Sequence, residues 1–183
     1  MSALLFPDNT VLVNFGLLSR VDLFAELVDG RGAWTHTIAT ECDRSAQRED
    51  LAALARMPDI LGTPYYPSQR ERIDTFTLRA RLAAPGDPPT AHLGEAETIA
   101  IMLAREIAGA FVTDDRGARR LAQAPDIQIP TYTTGDLLRL AVRASRIDAD
   151  TCWELLQRLR AVGRRLPDVP GARSGFDHWV VGR

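Results

Sequence analysis

Residues 92–121, HLGEAETIAIMLAREIAGAFVTDDRGARRL, carry two periodicities back to back, and few folds accommodate both. Ala96, Ile99, Ala100, Leu103 and Ile107 recur at helical spacing and give a helix one apolar face. Gly109 ends that helix, and Ala110-Phe111-Val112-Thr113 is an uncharged run suited to a strand covered on both faces. Asp114 and Asp115 follow immediately. A helix, a doubly buried strand and an acidic pair at the strand's end describe an open parallel sheet, whose carboxyl edge is where ligands bind. Glu95 and Glu97, in the first turn of the helix, are the local candidates to meet Asp114 and Asp115 there.

The remainder of the chain repeats the alternation. Ala3 to Phe6 reads as a short first strand ending at Pro7-Asp8, with Asn9 or Thr10 as the cap of a helix over 11–18. A second helix is expected over 22–28, a short strand over 33–36, and a helix over 38–46 with Glu41 near its start. Residues 49–56 read as a helix closed by Met57-Pro58, and the prolines at 58, 64 and 67 imply an extended connection. A helix over 68–83 leads to the Pro85–Pro89 loop. Beyond Asp115 the pattern predicts a helix over 116–123 and a strand over 127–129. A helix over 135–145 capped by Thr134 follows, then a last helix over 149–162. The tail from Pro167 has little periodicity, although it includes Phe176 and Trp179. Strands and helices alternating through short connections give an α/β fold, a central parallel sheet flanked by helices.

With 183 residues and 45% hydrophobic content, one domain spanning 1–183 is the expectation, its core over about 4–145 and a helix and tail over 146–183. The formal net charge of −2 provides no global field for nucleic acid, so such binding requires a local patch. All 22 basic residues are arginine, which excludes P-loop phosphate binding and Schiff-base chemistry, both of which need lysine. Cys42 and Cys152 have no metal-ligand spacing, and a reduced, cytoplasmic setting is the simpler expectation. No run has the roughly 18 apolar residues of a membrane span.

Asp8 ends the first strand as Asp114-Asp115 end a later one, so neighbouring strands would set Asp8 across one crevice from the acidic pair, with Glu41 and Glu97 entering from its sides. Carboxylates about 5 Å apart repel by roughly 3 kcal/mol per pair at an effective dielectric near 20. Four of them need a cation between them, or some must take up protons. Oxygen-only ligation suits Mg²⁺ or Mn²⁺, and metal-assisted phosphodiester hydrolysis is the chemistry such a site supports.

A strand ending in Asp8-Asn9-Thr10, then Glu41, then Gly94-Glu95-Ala96-Glu97 opening a helix, then Val112-Thr113-Asp114-Asp115-Arg116 resembles the PIN-domain family over about residues 4–145. That family comprises Mg²⁺/Mn²⁺-dependent ribonucleases and includes the VapC-type toxins of toxin–antitoxin pairs. The resemblance implies a three-layer PIN-like fold, with Asp8, Glu41, Glu97 and Asp115 as the catalytic, metal-holding acids, and Glu95 and Asp114 as second-tier candidates. It implies an RNA substrate and a cognate antitoxin, and dimers are frequent in the family, with the apolar helices over 11–28 available as an interface. Glutamate at the third position, where VapC-type toxins carry aspartate, departs from the pattern.

Each candidate also has a structural reading. Glu95 and Glu97 stand about 200° apart on a helix, so one of them, Glu95 by preference, serves the helix dipole instead. Asp114 is equally a turn or capping residue. Arg116, Arg119 and Arg120 share one helix face, available to grip RNA phosphate or simply solvated. The hydroxyls of Thr10 and Thr113 either orient a carboxylate or close local hydrogen bonds, and His92 and Cys42 read as incidental and packed. The leading expectation is a metal-dependent endoribonuclease; the alternative is a catalytically weak or inactive PIN-like module that binds RNA or a protein partner.

Overall fold

The apolar runs of the first two strands are buried at their C-terminal ends, and a third, two-residue strand pairs at the exposed edge. The computed structural model describes residues 3–182. Strands β1 (Leu4–Pro7), β2 (Gly109–Val112) and β3 (Thr131–Tyr132) form a parallel sheet in that order. Leu4 pairs with Gly109, Pro7 with Val112, and Phe111 with Thr131. Gly109 is required by this close approach, because a Cβ there would lie 2.7 Å from the Leu4 carbonyl oxygen.

Between β1 and β2 lie α1 (Asn9–Leu17), α2 (Val21–Val28), α3 (His36–Ala46), a 3-10 helix (Glu49–Arg56), α4 (Met57–Leu61), α5 (Gln69–Leu82) and α6 (Leu93–Ala104). After β2 come α7 (Arg116–Ala122), α8 (Thr134–Arg143), α9 (Ala149–Ala161) and α10 (Arg173–Val181). Side chains alternate along the strands and feed two cores, giving three layers. Leu5 and Val112 join the cluster built by α1–α3 and α8–α10. Phe6 and Phe111 join the one built by α5, α6 and α7.

Several sequence expectations are corrected. Residues 33–36 are not a sheet strand: Arg31 to Ala33 run beside β1 through Leu5 N–H to Arg31 O (2.8 Å) and Ala33 N–H to Leu5 O (2.9 Å), after which Thr35 becomes the N-cap of α3. The segment over 49–56 is a 3-10 helix, and Met57–Leu61 is helical where an extended connection was expected, Pro58 being tolerated in the first turn. Ile127 and Ile129 are buried but form no strand; Gln128 between them has φ +58, and the strand begins at Thr131. Helix α6 ends at Ala104, short of Gly109, where Glu106 takes φ +49.

The tail is helical as well. Phe176 in α10 is fully buried, its ring 5.1 Å from Trp153 and 5.8 Å from Trp179. Cys152, Leu155, Leu156 and Leu159 of α9 complete the same cluster, so the segment after 145 contributes to the core around α1. No described helix is long and apolar enough to cross a membrane.

Candidate functional site

Parallel strands bring their C-terminal ends to one edge, and each end here carries polar side chains. Asp8 follows β1, Thr113 to Asp115 follow β2, and Thr133 and Thr134 follow β3. Asp8 occupies the N-cap of α1, yet its side chain makes no capping hydrogen bond. Its carboxylate instead accepts from the Thr10 hydroxyl and, at 3.3 Å, from that of Thr113. Neither Asn9 nor Thr10 caps the helix, contrary to the sequence reading. The two threonines fix a carboxylate that is only 2% exposed.

Glu41 reaches the same edge from α3. Gly94 makes room for it: a Cβ at position 94 would lie 2.4 Å from Ile38 Cδ1 and 3.3 Å from Glu41 Oε2. The glycine thus lets the first turn of α6 press against α3, with Glu41 beside the residue that precedes Glu95.

The two glutamates of α6 diverge, as their angular separation requires. Glu97 turns to α3, where Oε1 accepts from the Thr37 backbone N–H at 2.8 Å and Oε2 from the Thr37 hydroxyl at 2.9 Å. The α3 N-cap, Thr35, makes no side-chain capping bond, so Glu97 satisfies one of the helix's orphan N–H groups and places negative charge at its N-terminus. Glu95 faces the acidic edge. Its charge is the largest charge effect acting on both Asp8 and Glu41. One ligand atom from each of His92, Glu95 and Asp115 lies within 4.8 Å of the others. His92, read from sequence as incidental, takes φ +63 just before α6, its Nδ1 3.5 Å from Glu95.

Asp115 caps α7, Oδ1 accepting from Ala118 N–H at 2.7 Å, while its own N–H donates to Thr113 Oγ1 at 3.1 Å. Asp114 points away from that group: Oδ1 accepts from Thr134 N–H (2.8 Å), and Oδ2 from the Thr134 hydroxyl (2.6 Å) and Asn14 Nδ2 (2.8 Å). Helix α8 is capped by Thr133, not Thr134, in a reciprocal box with Asp136. Arg119 pairs with Asp168 at 2.6 Å, which leaves Arg116 and Arg120 as the exposed members of the α7 arginine face.

The electrostatics follow from crowding. Burial, then the charge of Glu95 and, after the opposing Thr10 hydrogen bond, that of Glu41 push Asp8 up to about 8. Burial, then Glu95 and, against Arg44, Glu97 push Glu41 up to about 7. Asp114 is also raised, by burial, with the Thr134 hydrogen bonds opposing. Ordinary values for Asp8 and Glu41 are 3.8 and 4.5, so the folded protein retains protons that the unfolded chain releases. Their contribution to stability is full below about pH 4 and is lost as pH rises through about 7 to 8. The melting temperature of protein stripped of divalent ions is therefore expected to fall between about pH 5 and 8, and added Mn²⁺ to recover more of it at the upper end. A flat profile by scanning calorimetry contradicts this crowding.

The donor set fits a divalent cation: carboxylate oxygens clustered at one edge, with Asp8 and Glu41 raised by burial and a His92 ring nitrogen beside Glu95 and Asp115. A family model described as a PIN domain matches residues 7–169. No curated protein and no solved structure matches the chain.

Proposed function

The chain belongs to the PIN-domain family, and from that premise we propose that it is a metal-dependent endoribonuclease in which Asp8, Glu41, Glu95 and Asp115 hold Mg²⁺ or Mn²⁺. PIN domains are generally nucleases, and the observation that carries the reading is the cluster of carboxylates with raised pKa at the sheet edge. Glu95 takes the place that the sequence motif gives to Glu97, because both oxygens of Glu97 are engaged by Thr37. When bound, the ion supplies an activated water at neutral pH and charge stabilisation at the phosphate.

The protein's own residues prepare that chemistry. Thr10 and Thr113 hold the Asp8 carboxylate in one orientation, and Asp115 is fixed by the cap it makes on α7. Gly94 admits Glu41 to the first turn of α6. Asp114 braces β2 against α1 and α8 through Asn14 and Thr134. The same reading extends to the toxin half of a toxin–antitoxin pair, the role of the VapC-type proteins that the motifs resemble.

The test is a calorimetric Mn²⁺ titration beside a cleavage assay on single-stranded and structured RNA. Saturable Mn²⁺ binding is expected, with cleavage that EDTA abolishes and Mn²⁺ restores. Cleavage that persists in EDTA removes the metal role. RNA binding without Mn²⁺ binding or cleavage favours the non-cutting module.

A further inference from the structure

Helix α9 ends in a turn that sends two arginines back to the acidic edge. Gly163 has φ +77, its N–H donates to Arg160 O at 2.9 Å, and Arg164 N–H donates to Leu159 O at 2.9 Å. This is the Schellman pairing, and it fixes the direction in which residue 164 leaves the helix. Arg164 then reaches across to α1, Nε donating to Asn14 Oδ1 at 2.6 Å and Nη2 to the Thr10 carbonyl at 3.1 Å. Asn14 is fully buried and also donates to Asp114 and Thr134, so the guanidinium is anchored to the bracing network itself.

A cleft of about 290 Å³ opens between this turn and the acids, lined by Thr10, Asp114, Asp115, Gly163, Arg164 and Arg165. Both Asp114 oxygens are spent on Thr134 and Asn14. Arg164 Nη1 and the exposed Arg165 have no hydrogen-bond partner among the described residues. The charges of Arg164 and Arg119 also act on the Asp114 carboxylate, while the hydrogen bonds of Arg164 go to Asn14 and Thr10 and leave one edge of its guanidinium unengaged. One wall of the cleft is thus two arginines, one immobilised and one exposed, and the other is Asp114 and Asp115; guanidinium groups so placed suit a phosphate lying on the arginine side.

We propose that the Arg164–Arg165 cleft is a subsite for a backbone phosphodiester of the RNA strand, adjacent to the bond the acids act on. The proposal rests on the ribonuclease reading for the identity of its ligand. Arg164 orients the phosphate through its remaining guanidinium edge, and Arg165 closes over it from the solvent side. Bidentate recognition needs the planar fork, so lysine is a poor substitute at 164.

The test is fluorescence-anisotropy binding of a short labelled single-stranded RNA in Ca²⁺ buffer, over a salt series, with strand integrity checked on a gel. Arg165→Ala, at an exposed position, is expected to fold normally and to weaken binding roughly 3- to 10-fold, with the slope of log K against log salt shallower by about 0.7. Arg164→Lys, which keeps the charge, is expected to weaken binding while circular dichroism confirms the fold. Affinity and slope of Arg165→Ala equal to wild type, or no RNA binding by wild type, overturn the subsite. A wild type that never cleaves RNA but shows the slope change retains the subsite and removes the ribonuclease reading. One that cleaves, with Arg165→Ala unchanged in binding, does the reverse.

Discussion

Glu95→Gln is expected to lower RNA cleavage by about 10²–10³-fold, while Glu97→Gln leaves it within a few-fold of wild type. The two residues lie two positions apart, and the difference comes from what each carboxylate touches. Glu95 acts on Asp8 and Glu41 and lies within metal-ligating reach of Asp115. Glu97 caps α3 through Thr37. Glutamine at 97 still offers an oxygen to the Thr37 N–H. Alanine does not, and Glu97→Ala is expected to destabilise the fold by about 0.5–2 kcal/mol, the usual range for a lost cap. Cleavage rates and urea midpoints measured on the three variants check this. Full activity in Glu95→Gln with loss in Glu97→Gln returns the ligand role to Glu97.

Asp8→Asn is expected to abolish cleavage and also to stabilise the metal-free protein at about pH 8. The amide keeps an oxygen for Thr10 and Thr113 and removes the charge that burial, Glu95 and Glu41 oppose. At about pH 5 the native carboxyl is already protonated, so the stability difference should shrink there. Mn²⁺ at a hundred times its dissociation constant should stabilise wild type by about 2.7 kcal/mol and the variant far less. Equal stabilisation of both by Mn²⁺ places the ion elsewhere. A variant less stable than wild type at both pH values shows that Asp8 is held as a structural acid.

The sheet edge was legible in the sequence because it depends on local pattern: an uncharged run followed by acids marks Asp8 and the Asp114-Asp115 pair in one pass. The choice between Glu95 and Glu97 was not, since it depends on how α6 is rotated. That rotation is set by Gly94 against Ile38 and by Thr37, partners distant in sequence. Ile127 and Ile129 resembled a strand because burial and alternation usually coincide; here a left-handed Gln128 buries both without sheet pairing. Helix α10 escaped notice because its burial rests on only two residues, Phe176 and Val180, one turn apart in a nine-residue helix. Arg164 gave no local signal, as its role arises from a helix-ending turn and from Asn14, 150 positions away.

The Glu97–Thr37 clasp bears on how this motif tolerates change. Glu41 is carried by α3 and Glu95 by α6, and the clasp joins those helices within one turn of both acids. It acts as a spacer gauge: the distance between the Glu41 and Glu95 carboxylates is set by a third, which is engaged by Thr37. Grafting Gly94-Glu95 onto another scaffold without Glu97 and Thr37 would transfer a carboxylate without its calibration. The second glutamate of the motif is thus the one to retain when the first is redesigned.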